Sequence, residues 1–240
     1  MHPSLEGKVA IVTGGTRGIG LAIARGLGAR GAAVVATGSS PDSLPPAAAQ
    51  LTADGVRHAV IAADVRDRAR VQAMVAEAVE RLGGLDILVN NAGVGHFQKI
   101  ADLEEADWHR VIGVNLTGVF YCCHAAIPHL RARGGGWIIN ISSLAGRHTF
   151  DRGGVYCASK FALNAFSEVL MEEVRGDGIR VSLVMPGSVA TKFGDREPGP
   201  ADAWKLTAED VAQVVSGLLE HDPRSLPSRV EIRPSRPPRG

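Results

Sequence analysis

The sequence predicts an α/β fold, a single domain in which parallel strands alternate with helices. Three observations carry that reading. Short β-branched apolar runs alternate with longer stretches at helical spacing almost to the end of the chain. Such alternation means parallel strands joined by right-handed helical crossovers. Hydrophobic residues make up 45% of the 240 positions and aromatics only 5%. The core is therefore built of Val, Ile, Leu and Ala, as suits a sheet covered on both faces. Finally, a glycine-rich turn, Thr13-Gly14-Gly15-Thr16-Arg17-Gly18-Ile19-Gly20, joins the first strand to the first helix.

The elements follow in order. Residues 8–13 read as a buried first strand and 18–29 as an alanine-rich helix. Residues 33–37, 56–62 and 86–89 are the second, third and fourth strands. Between the last two, 67–82 is amphipathic, with Val71, Met74, Val75, Ala78, Val79 and Leu82 at helical spacing. Residues 106–131 are one long helical stretch, 137–141 the fifth strand, 155–174 a helix and 179–184 the sixth strand. Thr207 is placed to cap a late helix over 207–220, with Asp210 three residues on to complete a capping box. Arg229–Ile232 is a short last strand. No linker or internal repeat divides residues 1–240. Residues 188–205, rich in Gly, Pro and charge, are expected to form a flexible substrate lid, and 234–240 a frayed tail.

A formal net charge of +1 gives no electrostatic reason to expect nucleic acid or an anionic membrane as partner. Three clustered cysteines, Cys122, Cys123 and Cys157, are no disulfide framework and point to a reducing cytoplasm. No run is read as a membrane helix, and the N-terminus carries no apolar leader. The eight histidines show no metal spacing, so no metal is expected.

In an open α/β sheet, ligands bind beyond the carboxyl ends of the strands. The glycine turn, Asn90-Asn91-Ala92-Gly93, Ser142-Ser143 and Pro186-Gly187 all occupy such ends. Gly14, Gly18 and Gly20, with Thr16 and Ile19 between them, allow close backbone approach to a pyrophosphate at a helix N-terminus. The second strand ends Thr37-Gly38-Ser39-Ser40, without the carboxylate that usually holds the ribose hydroxyls of NAD. Thr37, Ser39 and Ser40 can accept a 2′-phosphate, and Arg17 adds positive charge. The reading is NADP(H), with Asp42 serving NAD as the alternative. Asp64-Val65, ending the third strand, are candidates for the adenine. Tyr156 and Lys160 lie four residues apart, on one helical face, with Ser143 thirteen residues before the tyrosine. An ammonium beside a phenol favours phenolate, so the Tyr156 pKa is expected to fall.

The ordered set Thr13-Gly14-x3-Gly18-x-Gly20, Asn90-Asn91-Ala92-Gly93, Asn115, Ser143, Tyr156-x3-Lys160 and Pro186-Gly187 resembles the short-chain dehydrogenase/reductase family over about residues 5–193. The resemblance implies a doubly wound Rossmann fold with a seven-stranded parallel sheet. It also implies hydride transfer between a nicotinamide and a carbonyl or alcohol carbon, and a homodimer or homotetramer. The catalytic set it implies is Asn115, Ser143, Tyr156 and Lys160. Ser143 would bond the substrate oxygen, Tyr156 exchange the proton, Lys160 tune the phenol and hold the ribose, and Asn115 hold a relay water. Asn91, Ala92, Gly93, Pro186, Gly187, Val189 and Thr191 would clasp the cofactor.

Within the family, the glycine turn and residues 34–40 resemble NADPH-dependent 3-oxoacyl-acyl-carrier-protein reductases. The C-terminal residues 206–212 and 230–234 are more similar to NADP-dependent 3-hydroxy acid dehydrogenases and carbonyl reductases. That departure weakens a reading of acyl-carrier-protein substrates. Pocket walls are expected from 94–97, 144–150 and the lid, with His96, Phe97, His148, Phe150, Phe193 and Trp204 as candidates. Arg147 and Arg152 are either carboxylate-attracting or solvated. An NAD-linked alcohol dehydrogenase and a non-catalytic NADP(H)-binding regulator stay open as alternatives.

Overall fold

A computed structural model describes residues 4–193 and 199–236. Residues 194–198 of the expected lid and 237–240 of the expected tail lie outside the described residues. The strands are β1 (Val9–Val12), β2 (Ala33–Gly38), β3 (His58–Ala62), β4 (Ile87–Asn90), β5 (Gly136–Ile141), β6 (Ile179–Pro186) and β7 (Arg229–Ile232). They form one seven-stranded sheet in the order β3-β2-β1-β4-β5-β6-β7. Every pairing is parallel. The order reverses between β1 and β4, so the carboxyl ends of those two strands flank the switch point where doubly wound sheets open a crevice.

The helices are α1 (Gly18–Gly28), α2 (Leu44–Ala53), α3 (Arg68–Leu82), α4 (Glu105–Ile112), α5 (Gly118–Ala132), α6 (Gly154–Val174) and α7 (Ala208–Leu218). Successive side chains of a strand point to opposite faces, and the core divides accordingly. Ala10, Val12, Val34, Ala36, Ile87 and Val89 pack with Ile23 and Leu27 of α1 and Val211 and Val215 of α7. Ile11, Val35, Leu88, Ile138 and Val181 pack with Met74 and Val75 of α3, Cys122 and Ala126 of α5 and Leu163 of α6. The three cysteines are free and buried.

Local chemistry sets the ends. Asp67 caps α3 by accepting the Arg70 amide, and Gly83 closes it in the left-handed region at φ 91°. At α7 the Thr207 hydroxyl accepts the Asp210 amide at 3.1 Å, while the Asp210 carboxylate accepts the Thr207 amide at 2.8 Å. This is the expected capping box.

Two elements differ from expectation. The stretch 106–131 is not one regular helix: α4 and α5 are separated by a π-helical segment, Gly113–Thr117. By length and composition Glu105–Ala132 is apolar enough to cross a membrane. Its buried residues Val119, Cys122, Cys123, Ala126 and Leu130 instead belong to the core beneath the sheet. Helix α2 is absent from the sequence pattern. Pro45 and Pro46 fall in its first turn, where the missing N–H groups need no intrahelical partner.

Candidate active site

The glycine turn is welded to the end of β4. The Thr13 hydroxyl accepts the amides of Asn91 and Ala92 at 3.0 and 3.1 Å. The Asn91 side-chain amide donates to the Thr13 and Gly14 carbonyls at 3.0 and 3.1 Å. Gly14 sits at φ +61°, and a Cβ there would lie 3.0 Å from the Ala92 Cα. On Gly20 a Cβ would collide with the Gly14 carbonyl oxygen. These glycines are thus required by backbone contact. Arg17, exposed, stands at the N-cap of α1 without a side-chain capping bond, and no acidic residue occupies the first turn. The N-terminal amides and dipole of α1 therefore face an anion site that the protein does not itself fill. The residues present fit the pyrophosphate of a dinucleotide. A Cβ on Gly18 would meet Thr191 at 3.6 Å, so the segment after β6 lies over the turn. That segment is held by a bridge between Val189 and Leu206, with Ala190 donating to the Leu206 carbonyl at 2.7 Å. Gly187, following Pro186, is fixed by its amide on the Ile232 carbonyl at 2.8 Å.

The ribose end is less uniform. Thr37 is fully buried, its hydroxyl without a partner among the described residues, while its carbonyl accepts the Gly15 amide at 2.8 Å. It supports the turn from within rather than offering its hydroxyl to a ligand. Ser39 and Ser40 are exposed, as is Asp42. A Cβ on Gly38 would meet the hydroxyls of Ser43 and Thr16 at 2.6 and 2.8 Å, so this corner is closely packed. Asp64 is paired with the Arg66 guanidinium at 2.6 Å, which holds its carboxyl below the usual range. Val65 is buried against Gly118.

Asn115 lies in the π-helical segment and is fully buried. Its carbonyl accepts the Val94 amide at 2.9 Å, and its amide donates to the Val94 carbonyl at 2.9 Å and the Ser159 hydroxyl at 3.0 Å. A Cβ on Gly93 would lie 3.6 Å from the Asn115 oxygen and 3.9 Å from Lys160 Nζ. Asn115 therefore ties the chain after β4 to α6. Both side-chain amide hydrogens are committed to protein partners, so the side chain itself offers the expected water only an oxygen lone pair.

Ser143 leaves β5 in extended conformation, its hydroxyl accepting the Ala145 amide at 3.1 Å. Tyr156 and Lys160 are buried on α6, with Nζ 5.9 Å from the phenol ring centre. The ammonium donates to the Ile141 carbonyl at 3.0 Å, at the end of the strand that leads to Ser143. Burial pulls the Lys160 pKa down to about 8. The phenol departs from expectation. Burial pushes the Tyr156 pKa up, the Ser143 hydroxyl draws it back only in part, and the net direction is upward. Desolvation disfavours phenolate more strongly than the surroundings favour it.

Further polar supports are not singled out by the sequence. Asn140 joins the Asn90 amide at 2.8 Å to the Ser167 hydroxyl at 2.8 Å, linking β4, β5 and α6. Asn164 accepts from Ser142 at 2.6 Å and donates to the Gly146 carbonyl at 2.9 Å. A signal exists for them: buried amides in strands and core helices need partners. Of the proposed wall residues, Phe97 and Phe193 stand against Tyr156, and Phe150 packs on Phe97. His96 faces Asp107 at 3.5 Å, His148 faces Arg233 at 3.4 Å, and Trp204 lies by Lys205. A separate cavity of about 400 Å³ beside Gly18, Thr191 and the start of α7 includes none of the four candidate catalytic residues.

The short chain dehydrogenase profile matches residues 8–198. The chain belongs to the short-chain dehydrogenase family. D-threitol dehydrogenase of Mycolicibacterium smegmatis is 39% identical over 203 residues, covering 84% of this chain and 78% of that protein. Glycine betaine reductase of Emericella nidulans is 37% identical over 96% of this chain, which spans only 19% of that longer protein. An alcohol dehydrogenase of the archaeon Thermococcus sibiricus, solved with 5-hydroxy-NADP, superposes with a TM-score of 0.89. It has 32% identity and covers 97% of this chain and 99% of that one. A metagenomic short-chain oxidoreductase in complex with NADP gives a TM-score of 0.84 at 37% identity, over 96% and 98% of the two chains.

Proposed function

We propose that this family member is an NADPH-dependent oxidoreductase that reduces a carbonyl compound to a secondary alcohol. The observation that carries the reading is the convergence of Ser143, Tyr156 and Lys160 beside a glycine turn whose helix N-terminus lacks an anion of its own. A dinucleotide whose pyrophosphate is held at that turn would supply the hydride from its nicotinamide. Ser143 donates a hydrogen bond to the substrate oxygen as negative charge grows there. Tyr156 gives its proton to the same oxygen as general acid. A phenol held protonated by burial suits the direction of reduction, because it carries the proton to be delivered. Lys160, anchored on the Ile141 carbonyl, keeps positive charge behind the phenol and stabilises it as it loses the proton.

The choice of NADP rests on the absence of a carboxylate at 37–40, on the exposed Arg17, and on the NADP compounds in the two similar structures. Self-association belongs to the same reading. Phe120, Phe161 and Val169 leave apolar surface exposed on α5 and α6, and sedimentation velocity is expected to give a dimer or tetramer.

Tyr156→Phe is expected to lower turnover at least a hundredfold while the NADPH Kd stays within threefold. Unchanged turnover in that variant overturns the mechanism. In a fluorescence titration NADPH should bind at least tenfold more tightly than NADH, and Arg17→Ala should shrink that ratio. Tighter NADH binding reverses the cofactor assignment.

A further inference from the structure

Two phenylalanines stand against the phenol of Tyr156, and a third packs on one of them. The Phe97 ring centre is 5.5 Å from that of Tyr156 at an interplanar angle of 75°, and that of Phe193 is 5.8 Å away at 64°. Phe97 also touches Phe150 at 5.7 Å and Phe193 at 6.5 Å. All are edge-on or tilted arrangements, as the ring quadrupole favours. Yet Phe97, Phe150 and Phe193 remain 46%, 48% and 41% exposed, while Tyr156 beneath them is 9% exposed. A cluster of half-exposed rings at a reacting group marks a binding surface rather than a core.

Two glycines make room for the cluster. A Cβ on Gly95 would lie 2.5 Å from Phe193 Cε1 and 2.9 Å from Phe97 Cζ, and one on Gly153 would lie 2.8 Å from Phe150 Cε2. The arginines near the rings are already paired. Glu231 holds Arg147 and Arg233, and Asp151 faces Arg152 at 3.6 Å. None of these three arginines stands free to receive a substrate carboxylate.

We propose that Phe97, Phe150 and Phe193 form the specificity surface of this site and select an uncharged ketone bearing an aromatic substituent. A carbonyl oxygen in reach of Tyr156 places its carbon substituents among these rings and parts the contacts that Phe97 makes. An aryl group replaces ring–ring contacts in kind, whereas a short alkyl group leaves faces uncovered and a carboxylate is desolvated without a partner. As a statement about substrate, the proposal rests on the reductase reading. Binding, however, can be measured without turnover.

The test uses the full chain loaded with NADPH and compares acetophenone, butanone and acetoacetate. Acetophenone is expected to give kcat/KM at least tenfold above the other two. Saturation-transfer NMR should show its ring protons in contact with the protein. Phe97→Ala and Phe193→Ala should each lower the acetophenone-to-butanone ratio at least fivefold, while Phe97→Tyr, which keeps a ring, should restore most of it. Turnover of butanone or acetoacetate equal to that of acetophenone overturns the proposal and leaves the reductase reading standing, as does an unchanged ratio in both alanine variants. Ring-dependent binding of acetophenone with no turnover of any carbonyl supports the surface and overturns the reductase reading. Neither binding nor turnover of acetophenone sinks the proposal outright.

Discussion

Lys160 is held in its charged form where burial makes charge costly. The unfolded chain keeps this proton to about pH 10.5, whereas the folded one releases it near 8. Between those values the unfolded state binds more protons, so folding stability rises with pH through that window and the penalty is fully present below it. The difference between 10.5 and about 8 corresponds to about 3 kcal/mol. Urea unfolding of the cofactor-free protein is expected to show it. From pH 8 to 10.5 the native chain should gain stability relative to Lys160→Met by an amount of that order, and parallel curves for the two proteins refute the assignment. At this scale the sequence brings the candidate pair together but misjudges the direction in which the Tyr156 pKa moves. Spacing places Tyr156 and Lys160 on one face, but depth of burial is a property of the packed whole. Depth decides that the Tyr156 phenol rises rather than falls. Thr37 shows the same limit: its position at a strand end is legible, and the face it turns to is not.

Helix α1 meets the glycine turn without clearance, and that contact sets the anion site. A Cβ on Gly20 would strike the Gly14 carbonyl and approach the Asn91 side-chain amide to 2.5 Å. Gly20→Ala should therefore push α1 off the turn and weaken NADPH binding at least tenfold, with far-UV circular dichroism retained. Gly217, inside α7, has open space where a methyl group would stand, with nothing within 4 Å of it. Gly217→Ala should leave NADPH binding unchanged and add about 0.5–1 kcal/mol of stability, the ordinary helix preference for alanine. Equal NADPH affinities in the two variants argue against close packing as the reason for Gly20. The contrast shows which element features a sequence can carry. The strand-turn-helix context marks the first glycine set, and the caps at Asp67 and Thr207 lie where side-chain chemistry places Thr207 or lets Asp67 begin a helix. Helix α2 is hidden because its two prolines look like breakers when their place in the first turn is unknown. The π-helical segment has no composition of its own; within it Asn115 reaches both Val94 and Ser159.

Across the whole molecule, binding and anchoring occupy opposite ends of the sheet. Every proposed site residue lies at or beyond a carboxyl end, a placement that the alternating pattern and the motif positions make readable in advance. The amino end carries Asp86, only 3% exposed, which the sequence does not single out. Its carboxylate accepts the Val9 amide at 2.9 Å and pairs with Lys8 and Arg133, each at 3.2 Å, joining β1, β4 and the chain after α5. Burial alone would raise its pKa; the Val9 amide, Arg133 and Lys8 together outweigh it, and the net direction is downward. A folded pKa below the unfolded one means stability that is complete above the ordinary carboxylate range, about 3.9, and lost as pH falls through the folded value. Asp86→Asn removes the charge that Lys8 and Arg133, both partly solvent-exposed, pair with, and should cost about 1.5 kcal/mol at pH 7. For a chain of this size that lowers Tm by about 5 °C. The cost should shrink progressively below about pH 4, because acid protonates the native carboxyl as well. NADPH affinity at about 20 °C should remain within twofold of the native value, since the cofactor site is at the far end of the strands. A variant that loses cofactor affinity in proportion to its stability would show that the two ends of the sheet are not independent.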